Sequence, residues 1–94
     1  MPIALLTLHL QLPGCASLKD KRSRIKPILA RLHKEFNVST AELDLQDHWQ
    51  ESLLGCSMLG SDSAFLQRAL QEVLIFTERM WPDTPVLEHR LEII

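Results

Sequence analysis

"SLKDKRSRIKPILARLHKEFNVSTAELDLQ", residues 17–46, holds two periodicities on either side of one junction. Up to Phe36 the apolar residues Leu18, Ile25, Ile28, Leu29, Leu32 and Phe36 recur at helical spacing. Beyond Asn37 they alternate, with Ala41, Leu43 and Leu45 against Thr40, Glu42 and Asp44. A 3.6-residue period buries one side of a helix, and a two-residue period buries one side of a strand. The passage therefore predicts a helix over 18–36 and then a half-buried strand over 37–46, with Ala41, Leu43 and Leu45 facing the core. Ser17 and Asp20 stand three residues apart at the helix entry, the spacing of a capping box with Ser17 as N-cap. Pro27 lies inside the helix and removes one hydrogen bond, which predicts a kink or a split after the first two turns.

On the N-terminal side, "IALLTLHLQL" (3–12) is leucine-rich and weakly alternating, as a central strand covered on one side would be. Pro13-Gly14 then marks a turn. On the C-terminal side, "DHWQE" connects to a third strand, "SLLGCSML" (52–59), and Gly60-Ser61-Asp62 stops that strand and caps a second helix near 62–80. Leu66, Ala69, Leu70, Val73, Thr77 and Met80 make its buried stripe, and "WPDTP" ends it. The last strand, 86–94, places Leu87, His89, Leu91 and Ile93 on one face and Val86, Glu88, Arg90 and Glu92 on the other. The order βαββαβ with right-handed crossovers gives a four-stranded antiparallel sheet, order 4-1-3-2, with two helices on one face. This is the ferredoxin-like α+β sandwich, and 94 residues hold one such domain, 1–94, with one core.

Composition excludes the extremes. Apolar residues at 46% and charged ones at 23% are those of a soluble globular chain. The apolar N-terminus lacks a basic leader and a small-residue cleavage site, so neither a signal peptide nor a membrane span is expected. Two cysteines, Cys15 and Cys56, make no disulfide framework, which points to a reduced, cytoplasmic protein. Residues 19–35 carry seven basic groups against two acidic ones, a net of +5; the rest of a chain whose total is −2 therefore carries −7.

"SLKDKR" (17–22), "FNVSTAE" (36–42), Asp47-His48-Trp49 and "LLG" (53–55) together resemble the YlxP-like family of small uncharacterised bacterial proteins. The likeness covers the first two-thirds of the chain. It implies a ferredoxin-like fold and membership among proteins often encoded beside translation and ribosome-maturation genes. It transfers no catalytic residue, because the family has no established activity.

The basic segment supplies the main candidate surface. Lys19, Lys21, Arg22, Arg24, Lys26, Arg31 and Lys34 are the candidate nucleic-acid contacts. Helical geometry turns Lys19, Arg22, Lys26 and Lys34 outward, sets Arg24 and Arg31 beside them, and puts Lys21 nearer the apolar sector. Clustered cations contact several phosphates at once and bind with strong salt dependence; the competing reading is a plain solvated helix face. RNA reading on the sheet is disfavoured. The first and third strands contain no aromatic residue on which bases would stack, no GXXG loop is present, and Glu42, Asp44, Glu88 and Glu92 are expected on the open face. Ile3, Leu5, Thr7 and His9 share that face and are apolar enough to suggest a homodimer, with Leu5, Thr7 and His9 as its centre. The alternative there is a monomer with a modest exposed patch.

The remaining candidates are weaker. His9, Glu42 and Asp44 share the predicted open face, but an intervening strand holds them about 10 Å apart, so no metal site is expected. Glu88 or Arg90 is the nearer partner for His9, and His89 on the apolar face reads as a hydrogen-bonded, partly buried residue. Cys15 lies near a helix N-terminus and cations but has no base placed beside it, so no catalytic residue is assigned. Asp47 is read as closing its turn. Trp49 either packs on the sheet edge or helix start, or stands out as a stacking platform. Trp81 covers the open end of the core, and no cofactor is expected. The combined expectation is a non-enzymatic accessory protein that binds ribosomal or structured RNA through the basic helix face. The alternative is a homodimeric interaction module with an acidic protein partner.

Overall fold

The computed structural model describes residues 2–94. The elements follow the expected order: β1 (Ile3–Gln11), α1 (Leu18–Phe36), β2 (Ser39–Asp44), β3 (Glu51–Leu59), α2 (Ser63–Met80) and β4 (Val86–Ile93). The strands form one sheet in the order β2-β3-β1-β4, with every neighbouring pair antiparallel. Read from the other edge this is 4-1-3-2, the ferredoxin-like arrangement. Ala4, Leu6, Leu8 and Leu10 of β1 alternate into a core completed by Ile25, Ile28 and Leu32 of α1, Leu54 and Cys56 of β3, and Leu66, Leu70 and Val73 of α2.

Local chemistry sets the helix limits. The Ser17 hydroxyl accepts a hydrogen bond from the Asp20 N–H at 3.1 Å, and the Asp20 carboxylate accepts one from the Ala16 N–H at 3.2 Å. The helix runs unbroken through Pro27, so the expected split does not occur. Pro27 and Ser23 are both exposed, so the Ser23 carbonyl that Pro27 leaves without an i+4 partner is on the solvent side of the helix, where solvation can offset the missing bond. Asn37, at φ 52°, ends α1 in the left-handed conformation that asparagine tolerates better than most residues. Asp62 caps α2 by accepting from the Ala64 N–H at 3.0 Å.

Strand β2 reverses the predicted faces. Thr40 lies opposite Cys56 and Glu42 opposite Leu54, and both partners are fully buried. Thr40 and Glu42 therefore face the helices, while Ala41 and Leu43 face outward. The polar pair is at home there because each finds a partner: Thr40 Oγ1 donates to the Leu29 carbonyl at 3.1 Å, and Glu42 meets Lys21. A register shift between Glu42 and Asp44 places Asp44 opposite Leu53, and Leu45 leaves the strand at φ 64°. A second shift, between His9 and Leu10, brings Val86 opposite Leu10. Val86 packs on the core and Leu87 is exposed, the reverse of the expected alternation. His89 is exposed on this edge strand rather than partly buried, and Met80, the last residue of α2, is also exposed. Trp81 closes the core as expected, edge-on to Phe76 at 5.9 Å.

Candidate nucleic-acid interface

The seven basic residues divide into two groups. Lys21 is 1% exposed. Its Nζ lies 2.8 Å from Glu42 Oε2 and donates to the Leu45 carbonyl, while Ser52 Oγ donates to the same Glu42 oxygen. Lys21 therefore cannot reach a phosphate, and its assignment as a contact is corrected. The helical angle that pointed it toward the apolar sector, not its charge, decides its place. Arg24 is committed to the fold as well. Nη1 donates to the Pro13 carbonyl at 2.6 Å, and Nη2 to Thr84 Oγ1 at 3.1 Å and the Asp83 carbonyl at 3.4 Å. It ties the β1–α1 turn to the α2–β4 connection. Arg31 pairs with Glu35 at 2.9 Å and lies 5.7 Å over the Phe76 ring.

Lys19, Arg22, Lys26 and Lys34 remain exposed, and none enters an ion pair among the described residues. At about 100° per residue they occupy an arc of about 120° centred opposite the buried positions of α1, along a stripe of about 22 Å. The two acids of the segment are occupied elsewhere, Asp20 in the cap and Glu35 with Arg31. The stripe is thus a run of unneutralised cations.

The β2–β3 connection lies against the turn that leads into α1. Leu12 N–H donates to the Gln50 carbonyl at 2.8 Å, Gln50 Nε2 donates to the Cys15 carbonyl at 3.3 Å, and His48 N–H donates to the Leu45 carbonyl at 3.0 Å. That last backbone bond, rather than an Asp47 side chain, closes the turn, and the Asp44 carboxylate accepts from the Leu45 N–H at 2.7 Å beside it. Trp49 is 52% exposed on this loop. It is therefore more open than packing on the sheet edge or the helix start would leave it.

On the open face of the sheet, Leu5, Thr7 and His9 are half-buried. His9 Nε2 pairs with Glu51 Oε1 at 2.8 Å instead of with Glu88 or Arg90, and Arg90 pairs with Glu92 at 3.0 Å. Leu43 drapes over Gly55, where an added Cβ would come within 2.6 Å of Leu43 Cδ1. With Glu42 turned inward, His9 and Glu42 lie on opposite faces, and no group of three potential metal ligands is close enough to hold an ion among the described residues. Cys15 is buried, with Arg24 Nη1 3.6 Å from its sulfur, so a thiol nucleophile there has no access to a substrate. Cys56 is fully buried, and that burial pushes its thiol up to about 11.

One feature escapes the sequence reading. An open groove of about 910 Å³ lies at the far end of the sandwich, lined among others by Ile3, Phe36, Met58, Leu59 and Phe65. Leu59 and Phe65 are its exposed rim. The available signal was Phe65, an aromatic residue off the buried stripe of α2.

Residues 3–90 match the family described as "Protein of unknown function (DUF503)". A stretch of 62 residues is 40% identical to "Uncharacterized protein YlxP" of Bacillus subtilis (strain 168), covering 66% of this chain and 67% of that one. Among solved structures, "De novo designed protein Foldit4" superposes with a TM-score of 0.54 at 14% identity, covering 100% of this chain and 97% of the other. That likeness shows the fold alone. No helix among the described residues is long and apolar enough to cross a membrane.

Proposed function

Because the chain belongs to the DUF503 family, of unknown function, its role has to be read from its own residues, and we propose that it is a non-enzymatic accessory protein of the cytoplasm that binds ribosomal or structured RNA. The observation that carries this reading is the stripe of Lys19, Arg22, Lys26 and Lys34, exposed and without ion-pair partners among the described residues. Each cation that neutralises a phosphate releases a counterion, so affinity follows the number of contacts and falls with salt. Neither RNA sequence nor base identity is read by such a stripe, which recognises backbone spacing. The open sheet offers no comparable surface, since Arg90 is already paired with Glu92 and the His9 ring is hydrogen-bonded to Glu51.

The test is binding of the purified protein to ribosomal subunits and to isolated ribosomal RNA across a salt series, repeated with Lys19, Arg22 and Lys26 all changed to Glu. Binding that weakens steeply with salt and is lost in a triple variant with an unchanged circular dichroism spectrum supports the reading. Absence of wild-type binding at low salt overturns it.

A second reading keeps the stripe and changes its partner to an acidic protein surface, in a homodimer joined through Leu5, Thr7 and His9. It is favoured by the apolar character that Leu43, Leu53 and Leu59 add to the open face, of which Leu43 and Leu59 are exposed. Sedimentation at increasing protein concentration separates a dimer from a monomer, and Leu5→Glu dissociates a dimer built on this face.

A further inference from the structure

We infer that Trp49 is a stacking platform that extends the α1 stripe into a site for unpaired nucleotides of a structured RNA. The inference rests on the RNA reading of the stripe and narrows it to single-stranded segments. Tryptophan is a highly buried residue on average, yet Trp49 keeps 52% of its surface in solvent. The loop that carries it is not slack. Lys21 Nζ holds the Leu45 carbonyl, His48 N–H closes back on Leu45, and Gln50 is tied to Leu12 through its carbonyl and to Cys15 through its side chain. A backbone held on such a frame loses little freedom when a ligand covers its side chain, which favours binding.

Position supplies the second argument. The bonds from Gln50 reach Leu12 and Cys15, the latter two residues before the Ser17 cap of α1. The loop that carries the indole therefore lies near the N-terminal end of α1, the end that also bears Lys19 and Arg22. A flat apolar ring beside unpaired cations is the combination that holds single-stranded nucleic acid: the ring takes a base, and the cations take the phosphates on either side of it. In a duplex every base face is already stacked, so duplex RNA meets only the cations. Strands β1 and β3 contain no Phe, Tyr or Trp, and the one ring they carry, His9, is hydrogen-bonded to Glu51, so the centre of the sheet offers no comparable indole platform.

The experiment uses the full chain with Trp81→Phe, which leaves Trp49 as the single indole. A 12-nucleotide single-stranded oligoadenylate and a 12-base-pair RNA duplex are titrated at 50 mM salt. Trp49 fluorescence is expected to be quenched by the single strand and left unchanged by the duplex. Trp49→Ala is expected to weaken single-strand binding roughly 5- to 150-fold, the effect of losing one stacked base. The salt slope should stay the same, because no cation has been removed, and Trp49→Phe should retain most of the affinity. If Trp49→Ala is folded and binds the single strand as tightly as the parent, or if single strand and duplex lose affinity equally, the stacking role is refuted while the stripe survives. If neither RNA binds at 50 mM salt, the RNA reading fails and takes this inference with it. Trp49→Ala that binds RNA normally but loses a protein partner moves the ring to a protein interface and also refutes the proposal.

Discussion

Changing Lys21 to Met tests the assignment of this residue to the interior. The substitution keeps an unbranched side chain of similar length and removes only the ammonium. Glu42, whose side chain is 20% exposed, is left with the Ser52 hydroxyl as its remaining donor, and the Leu45 carbonyl loses the Lys21 bond. Removing one partner of a buried pair costs about 3–5 kcal/mol. The partial hydration still open to Glu42 brings the expected loss to about 2–3 kcal/mol. Against a total stability of about 5–14 kcal/mol for a chain of this length, that is a large fraction. With a urea m-value of about 1–1.5 kcal/mol/M, the denaturation midpoint should fall by about 2 M. Lys21→Met with Glu42→Leu removes both charges and should return to within about 1 kcal/mol of the parent, because neither ion is then left stranded. A single-variant loss below about 1 kcal/mol, or a double variant whose cost is the sum of the singles, would refute the reasoning. The same single variant should leave the salt slope for RNA unchanged, since Lys21 contacts no ligand.

Raising the Cys56 thiol from its usual 9.0 to about 11 means that the unfolded chain ionises this group first as pH rises. Its contribution is therefore intact below about pH 9 and lost as pH climbs toward 11, a fall of about 2–3 kcal/mol. Urea melts from pH 8 to 11 measure it in a chain that contains no tyrosine, and Cys56→Ala should flatten the curve; an unchanged slope in that variant contradicts the burial argument. Arg24→Met leaves the Pro13 carbonyl and the Thr84 hydroxyl without this donor and should cost about 1–3 kcal/mol, with faster amide exchange around residues 13–17 and 83–85. Gly55→Ala brings a Cβ to 2.6 Å from Leu43 Cδ1, but Leu43 is exposed and free to swing away, so the cost should stay below about 1 kcal/mol. A denaturation loss above about 2 kcal/mol would show that Leu43 is fixed rather than draped.

The helices were legible because their signals are local. Ser17, Asp20, Asn37 and the apolar stripe between them lie within a few residues of the geometry they determine. The face of β2 was not legible. Its alternation suits either register, and apolar residues are assigned inward by default; a one-residue slip exchanges the faces. What selects the observed register is Lys21, far back in α1, whose buried ammonium needs Glu42 on the inner side. The reversal of Val86 and Leu87 has a similar origin, since the shift between His9 and Leu10 belongs to a strand pair and leaves no mark on β4 alone. Trp49 sits in a connection with no period, so its exposure had no sequence pattern to announce it.

The inward turn of Glu42 also changes why the stripe, rather than the sheet, is proposed as the RNA surface. The open face loses one acid and gains Leu43, so its case no longer rests on repulsion of phosphate; it rests on having Arg90 already paired with Glu92 and His9 hydrogen-bonded to Glu51. The same test of availability reduces the seven basic residues of the segment to four, because Lys21, Arg24 and Arg31 are spent on the fold. This division is measurable without a single substitution. For single-stranded RNA the slope of log affinity against log salt is about −0.7 per phosphate neutralised, so four free cations give about −2.8 and seven about −4.9. Between 50 and 200 mM salt the first loses roughly 50-fold in affinity and the second roughly 900-fold. A loss near 50-fold identifies the four outward residues as the contacts. A loss approaching 900-fold would require Lys21, Arg24 and Arg31 to leave their present partners on binding. Lys21→Met would then weaken RNA binding as well as stability, contrary to everything its burial predicts.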